Sequence, residues 1–231
     1  MKFLRDQVDK IKPTFSEGGK LSFLHSTFDA LETFLFVPNH TTKNGTHIKD
    51  GVDLKKTMFL VVIALIPALL FGMWNIGHLQ SLALTGEDGD LFGNFWVGLL
   101  QILPIIIVSY GVGLGIEMAF AQFKGHPVNE GFLVTGLLIP MVMPADIPLW
   151  MVGLATAFAV VIGKEVFGGT GMNFLNPALT ARMFLYIGHT PDMSGEECWV
   201  PIPEGMAAVD GYSGATSLGN MATASAAGKP W

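Results

Sequence analysis

The chain has 231 residues, of which 50% are hydrophobic and only 14% are charged, and its formal net charge at pH 7 is −6. Soluble domains carry about 25% charged residues, so this composition argues against a water-soluble fold and indicates an integral membrane protein. Long buried core helices of a soluble protein are the alternative interpretation. The single cysteine excludes a disulfide within the chain, and the sequence has no zinc-ligand or Walker-type nucleotide motif.

The first part of the chain, residues 1–56, is polar and holds most of the 13 basic residues. Its opening string, MKFLRDQVDK, has no continuous apolar core and no small-residue cleavage site, so we do not expect a signal peptide. Residues 23–36, FLHSTFDALETFLF, repeat apolar residues at helical spacing. This pattern predicts a short amphipathic helix.

Five apolar runs follow, and they predict an all-α polytopic membrane protein with about five transmembrane or half-spanning helices. About 20 apolar residues cross a bilayer core of about 30 Å, and only the first two runs are comfortably that long. Gly and Pro interrupt the later runs, which is typical of broken or re-entrant helices around a protein-lined site. The runs are Thr57–Gly77, Phe95–Phe120, Gly131–Met143, Trp150–Ile162 and Asn173–Ile187.

Charge asymmetry predicts the orientation, because short cytoplasmic loops collect Lys and Arg. The basic residues 1–56, Lys124 and Lys164 are expected on the cytoplasmic side, and the acidic loop around residues 87–90 and Asp146 on the outer side. Five crossings then leave the acidic tail outside. We therefore divide the chain into a cytoplasmic segment (1–56), a transmembrane repeat (57–188) and an outward-facing segment (189–231) of a multi-pass inner-membrane protein.

Three strings carry a resemblance to a known family: HPVNEGFLVTG (126–136), GKEVFGGTGMNFLNPALTAR (163–182) and DGYSGATSLG (210–219). In this order they resemble the B subunits of Na+-translocating NADH:quinone reductases and, more loosely, the D subunits of Rnf complexes. The resemblance implies a urea-transporter-like fold of two inverted repeats. The chain is expected to hold one repeat, the N-terminal half, so activity without the second repeat is not expected.

In that family the string D-x-x-S-G-A-T carries an FMN joined by a phosphoester bond to the Thr hydroxyl. The match implies Thr216 as the attachment point, with Ser213 as the competing hydroxyl. Small Gly214 and Ala215 would let a flavin transferase close over the backbone, and Asp210 would present the motif to a divalent metal during attachment. A Ser/Gly-rich turn is the alternative interpretation of the string.

A second, non-covalent flavin, riboflavin, is implied at Asn173 and Asn176, whose amides offer both donors and acceptors. The alternative interpretation is that the two Asn residues cap a broken helix, and the two interpretations are compatible. The glycines before them, Gly168, Gly169 and Gly171, are not a dinucleotide fingerprint, because no predicted strand precedes them.

Charged residues within spans are candidates for function. The resemblance implies a quinone site at Gly113, Glu117 and Asp29, with Leu114 where relatives have a second Gly. An interfacial carboxylate is the alternative for Glu117. The expected roles of four further residues are structural: Glu130 caps a helix, Lys164 and Glu165 pair with each other or extend to the interface, and Arg182 neutralises a buried partner or a flavin-linked charge.

The resemblance as a whole implies a subunit that relays electrons between FMN and riboflavin toward ubiquinone or menaquinone, coupled to Na+ export. Its partners would be the other subunits of a six-subunit reductase, the flavin transferase and membrane lipid, with NADH oxidised elsewhere. No nucleic acid and no protein-bound metal are expected. The alternatives are a D-type subunit of an Rnf complex and a channel or transporter without redox function.

Overall fold

The computed structural model describes residues 2–15, 28, 42, 44–46, 54–124, 131–194, 197–203, 205–209, 214 and 216–228. Within these residues the regular elements are helical, which confirms the predicted all-α class. The helices are α1 (Lys2–Phe15), α2 (Leu54–Thr85), α3 (Leu91–Lys124), α4 (Phe132–Val142), α5 (Leu149–Val161), α6 (Pro177–Gly188), α7 (Thr190–Met193) and α8 (Ser217–Ala226), with 3-10 turns at Glu165–Phe167 and Glu197–Trp199.

The two longest helices, α2 and α3, have 32 and 34 residues. At 1.5 Å per residue they measure about 48 and 51 Å, more than the roughly 30 Å of a bilayer core. The first predicted span was too short, because α2 continues past Gly77 to Thr85. The polar residues of this extension find partners inside the protein: Gln80 donates to the Pro201 carbonyl at 2.7 Å and Ser81 to the Asn94 side chain at 2.7 Å.

Glycines allow α2 and α3 to pack closely along their length. A Cβ added at Gly77 would overlap the Asn94 carbonyl oxygen, and one at Gly98 would overlap the Met73 carbonyl oxygen. Small residues at such crossings let two helix backbones approach each other in a membrane. Close backbone contacts at two points along the helices therefore fix how α2 and α3 pack against each other.

The later helices are short, as the sequence predicted, with 11 residues in α4, 13 in α5 and 12 in α6. Together with the turn that follows it, α5 forms an apolar segment from Leu149 to Phe167. Among the described residues, this segment and the two long helices are long and apolar enough to cross a membrane. The fifth predicted run becomes helical only at Pro177, because Asn173–Asn176 form the connection before α6.

The hydrophobic core lies where α3, α4, α5 and α6 meet. Its fully buried members include Ile139, Val152, Ala155, Ala181 and Leu185. The long helices are different, since α2 exposes large apolar side chains such as Leu60 and Phe71. Exposed apolar side chains on a long helix fit a lipid-facing surface, whereas the short helices form the protein-lined part of the fold.

Near the N-terminus the structure contains a helix that we did not predict, α1. Its apolar residues Leu4, Val8, Ile11 and Phe15 recur at spacings of three and four, which is the signal that could have indicated it. Phe15 stacks on Phe28 with ring centroids 4.9 Å apart. The predicted amphipathic helix at residues 23–36 lies, apart from Phe28, outside the described residues.

Candidate functional site

One face of α3 points toward the rest of the protein. The buried residues on it recur every three or four positions: Asn94, Gly98, Ile102, Ile105, Ser109, Gly113, Glu117 and Ala121. Two members of the predicted quinone site, Gly113 and Glu117, are therefore one turn apart on the same buried face. The third, Asp29, lies outside the described residues.

Gly113 is a contact point for the fully buried ring of Phe132 on α4. A Cβ added at Gly113 would overlap the Phe132 ring, whereas one added at Gly111 or Gly115 would meet no atom within 4 Å. The Phe132 ring also meets Tyr110 edge-on, with ring centroids 6.2 Å apart. Of the three glycines in this part of α3, only Gly113 is required by packing.

Glu117 forms a buried ion pair with Lys164. The Lys164 ammonium donates to the Glu117 carboxylate, and each side chain is only 4% exposed. The same ammonium lies 6.0 Å from the centroid of the Phe132 ring. Both ends of the pair are therefore enclosed by the protein, and Lys164 does not extend its side chain outward.

Lys164 and Glu165 do not pair with each other, contrary to our expectation. Glu165 instead accepts from Lys124 at 3.3 Å, and its carbonyl accepts from the same ammonium at 3.0 Å. Two ion pairs thus join the end of α3 to the segment after α5: a buried pair, Glu117–Lys164, and an outer pair, Lys124–Glu165, whose Lys is 39% exposed. Lys124 and Lys164 lie at one end of the bundle, as the charge pattern predicted.

A cavity of about 370 Å³ lies beside the buried pair. Its walls come from Met58 of α2, from α4, from the segment after α5 and from the start of α6. They include both predicted riboflavin residues, Asn173 and Asn176, together with Thr170 and Lys164. The hydroxyl oxygen of Thr170 is buried and has no hydrogen-bond partner within the described structure. Lys164 and Thr170 are polar members of this wall that sequence reasoning did not assign to a site.

The two Asn residues also shape the backbone around the cavity. The Asn176 side chain accepts from the Ala178 N–H at 3.0 Å and so caps α6. Asn173 donates to the Leu175 carbonyl at 2.8 Å. The structural interpretation of the pair, as caps of a broken helix, is thus confirmed for Asn176.

The bend before these residues depends on glycine. Gly168, Gly169 and Gly171 have φ values of 114°, 93° and 92°, a region that residues with a Cβ rarely adopt. The 3-10 turn Glu165–Phe167 precedes them, not a strand, so they form no dinucleotide fingerprint.

Arg182 has partners other than the carboxylate or flavin-linked charge that we expected. Its guanidinium donates to the Val142 carbonyl at the end of α4 and lies 5.3 Å from the Trp199 ring centroid. A positively charged donor at a helix C-terminus satisfies a carbonyl that the helix leaves unpaired. Arg182 therefore ties α6 to α4 and to the tail.

Thr216, the predicted attachment point, is the exposed N-cap of α8. Its hydroxyl oxygen accepts from the Gly219 N–H at 3.1 Å. Gly214, two residues earlier, has φ +63°, so this part of the motif is a turn that leads into a helix. Asp210, Ser213 and Ala215 lie outside the described residues.

The tail meets the end of the bundle that carries the acidic loop. The Val209 N–H donates to the Ala83 carbonyl at 2.8 Å, near the end of α2. In the acidic loop that follows, Asp88 bonds His78 at 2.5 Å and accepts from Asn94 at 3.2 Å. No group of three or more potential metal ligands occurs among the residues described.

A sequence profile of the NQR2, RnfD, RnfE family matches residues 41–230. The chain is 41% identical over 95% of its length to the B subunit of the Na(+)-translocating NADH-quinone reductase of Chromohalobacter salexigens. It is 43% identical over 93% to the same subunit from Stutzerimonas stutzeri, and 39% over 93% to that from Pseudomonas aeruginosa. The chain covers 56–57% of the length of these relatives. With its apolar helices and this match over most of its length, the chain belongs to the NQR2, RnfD, RnfE family of multi-pass membrane proteins.

Proposed function

We propose that the chain is the flavin-carrying part of a B-type subunit of a Na+-translocating NADH-quinone reductase, and that it relays electrons toward a quinone. The names of the relatives and the family match support the assignment to this complex. The observation that carries the flavin part is Thr216, which ends the DGYSGAT string as an exposed helix N-cap. The other half of the relatives' length would be needed for the complete activity.

The position of Thr216 suits a covalently bound phosphate. The first N–H groups of a helix lack partners within the helix, and the helix dipole favours negative charge there. A phosphoester on the Thr216 oxygen would hold its phosphate next to the N–H groups at the start of α8. The exposed hydroxyl is also within reach of a transferase during maturation.

The 370 Å³ cavity is our proposed site for riboflavin. Ligand cavities in proteins measure about 300–1,000 Å³ and combine apolar walls with a few polar groups. The unpartnered Thr170 hydroxyl, the Asn173 and Asn176 amides, and apolar Val134 and Leu138 fit a flat ring with a polar edge. The flavin would supply the redox chemistry, and the chain would bind it, orient it and exclude water.

The quinone site proposed at Gly113, Glu117 and Asp29 still depends on the resemblance. The structure supports it by placing Gly113 and Glu117 side by side on the buried face of α3. Their surroundings combine an aromatic ring, that of Phe132, with an ion pair. Phe132 fills the space beside Gly113 and Lys164 occupies the Glu117 carboxylate, so a bound quinone would have to displace these groups.

We further propose inner-membrane placement with residues 1–56 in the cytoplasm and residues 189–231 outside, and Na+ as the exported ion. The partners would be the other subunits of the reductase, a flavin transferase and membrane lipid. A D-type subunit of an Rnf complex is the second candidate, because the family profile covers both types.

The test is fluorescence of the denatured protein. Full-length protein produced together with the flavin transferase should give a band that fluoresces under ultraviolet light, because a phosphoester-bound FMN survives denaturation. Thr216→Ala should abolish the fluorescence, and Ser213→Ala, which removes the competing hydroxyl, should leave it unchanged. A dark wild-type band would contradict the flavin proposal and favour a non-redox channel or transporter. A fluorescent Thr216→Ala band would contradict only the assignment of the residue.

A further inference from the structure

Lys164 takes part both in the wall of the cavity and in the buried ion pair. It lines the 370 Å³ cavity together with Thr170, Asn173 and Asn176. Its ammonium also donates to Glu117, which is not part of the cavity wall. Lys164 therefore stands between a buried carboxylate and the space that we assign to the non-covalent flavin.

Stability alone does not explain why a buried pair occupies this place. Desolvation of two charges commonly costs as much as their attraction returns, so apolar residues of similar size often serve as well or better. A Lys near the end of a membrane helix ordinarily extends its ammonium to water, as the partly exposed Lys124 does nearby. Lys164 instead keeps its side chain 4% exposed.

A positive charge beside a flavin favours the reduced form, because reduction adds negative charge to the ring system. The Lys164 side chain is itself buried, and water screens the charge of a buried group less than that of an exposed one. Glu117 opposes the effect, since its carboxylate holds the same ammonium and compensates its charge.

We propose that the charge of Lys164 sets the reduction potential of the non-covalent flavin, and that Glu117 acts on this potential in the opposite sense by compensating that charge. The proposal rests on the proposed function, namely that the cavity holds riboflavin. It assigns opposite effects to the two partners. Loss of the Lys164 charge disfavours the reduced flavin, and loss of the Glu117 charge favours it.

The experiment uses full-length protein purified in detergent and carrying Thr216→Ala, so that the covalent flavin does not contribute to the signal. Riboflavin is added, its binding is measured, and its midpoint potential is determined by spectroelectrochemical titration. The variants are Lys164→Gln, which is neutral but keeps an N–H donor for Glu117, Lys164→Arg, which keeps the charge, Glu117→Gln, and the double variant.

We expect Lys164→Gln to lower the midpoint potential, because a positive charge beside the ring is lost. The affinity for the reduced form of riboflavin should fall roughly tenfold relative to the affinity for the oxidised form. Lys164→Arg should stay close to wild type. Glu117→Gln should raise the potential. The double variant should lie between Lys164→Gln and Glu117→Gln, because it lacks both charges and their effects on the flavin oppose each other.

Unchanged potentials in protein that binds riboflavin would overturn the inference. A shift in the same direction for Lys164→Gln and Glu117→Gln would also overturn it. A purely structural role for the pair predicts such a common shift. If Lys164→Gln does not fold, the raised potential expected for Glu117→Gln and the unchanged potential expected for Lys164→Arg still decide. Wild-type protein that binds no riboflavin would overturn the proposed site itself, which is a distinct result.

Discussion

At the scale of single residues, the ion pairs show that closeness in sequence does not predict which charged residues bind each other. Lys164 and Glu165 are adjacent in sequence, yet each binds a residue of α3 that lies more than 40 positions away. Adjacent residues project in different directions from the backbone, so they seldom face each other. The partners of a charged residue near a membrane are decided by which helix packs beside it.

Gly113 leads to a prediction at the same scale. Gly113→Ala should destabilise the protein by about 1–3 kcal/mol, because the added methyl group overlaps the buried Phe132 ring and the core must shift. The measurement is thermal unfolding of the purified protein in detergent.

The matched control is Gly115→Ala, two residues further along the same helix. An added Cβ at Gly115 meets no atom within 4 Å, and Ala is a better helix former than Gly. This variant should therefore be neutral or slightly stabilising. Equal melting temperatures for the two variants would show that Phe132 does not pack tightly on Gly113.

At the scale of elements, hydrophobic runs located the helices but not their ends. The apolar pattern ends near Gly77, whereas α2 ends at Thr85, because Gln80 and Ser81 are satisfied by the tail and by α3. At α6 the local signal was correct: Asn176 followed by Pro177 is a cap and a first-turn proline.

Two variants of Asn176 can separate its role as a helix cap from its proposed role in binding riboflavin. Asn176→Ala should lower stability by about 1 kcal/mol through loss of the cap, whereas Asn176→Ser keeps an oxygen acceptor for the Ala178 N–H and should preserve stability. If the amide also contacts riboflavin, both variants should lose bound riboflavin. Thermal unfolding and flavin content of the purified protein measure the two effects separately.

Asn220→Ala, on the exposed face of α8, is the control and should change neither quantity. Full riboflavin content in Asn176→Ser would show that Asn176 acts only as a helix cap.

At the scale of the whole molecule, the described contacts sort charged segments to the two ends of the bundle. Lys124 and Glu165 meet at one end, and Pro201 and Val209 contact the end of α2 next to the acidic loop at the other. This agrees with the alternation of charge along the chain. The contacts show which segments lie at the same end of the bundle. The positive-inside rule then predicts which of the two ends faces the cytoplasm.

Cys198 gives a test of this orientation. A membrane-impermeant thiol reagent added to intact spheroplasts should label Cys198 if residues 189–231 face outward. Burial raises the pKa of the Cys198 thiol, and the thiolate is the reactive form, so labelling should be slow at neutral pH and accelerate as the pH rises. The measurement is the labelled fraction with time between about pH 7 and 9.

Cys198→Ser is the control and should remove the labelling of this chain, which has a single cysteine. Labelling that requires permeabilised membranes would place the tail in the cytoplasm and reverse the orientation.

The sequence by itself determined the membrane class and the approximate positions of the five apolar helices, and it supplied the motif on which the proposed attachment at Thr216 rests, because hydropathy and short motifs are local properties of the chain. The family resemblance grouped Gly113 with Glu117 and Asn173 with Asn176, and such neighbours lie close together because each pair belongs to one helix or one bend. Only the tertiary structure paired Lys164 with Glu117, placed Phe132 against Gly113 and formed the cavity from α2, α4, α6 and the segment after α5. These features depend on contacts between distant parts of the chain, which packing of the helices decides and local pattern does not encode.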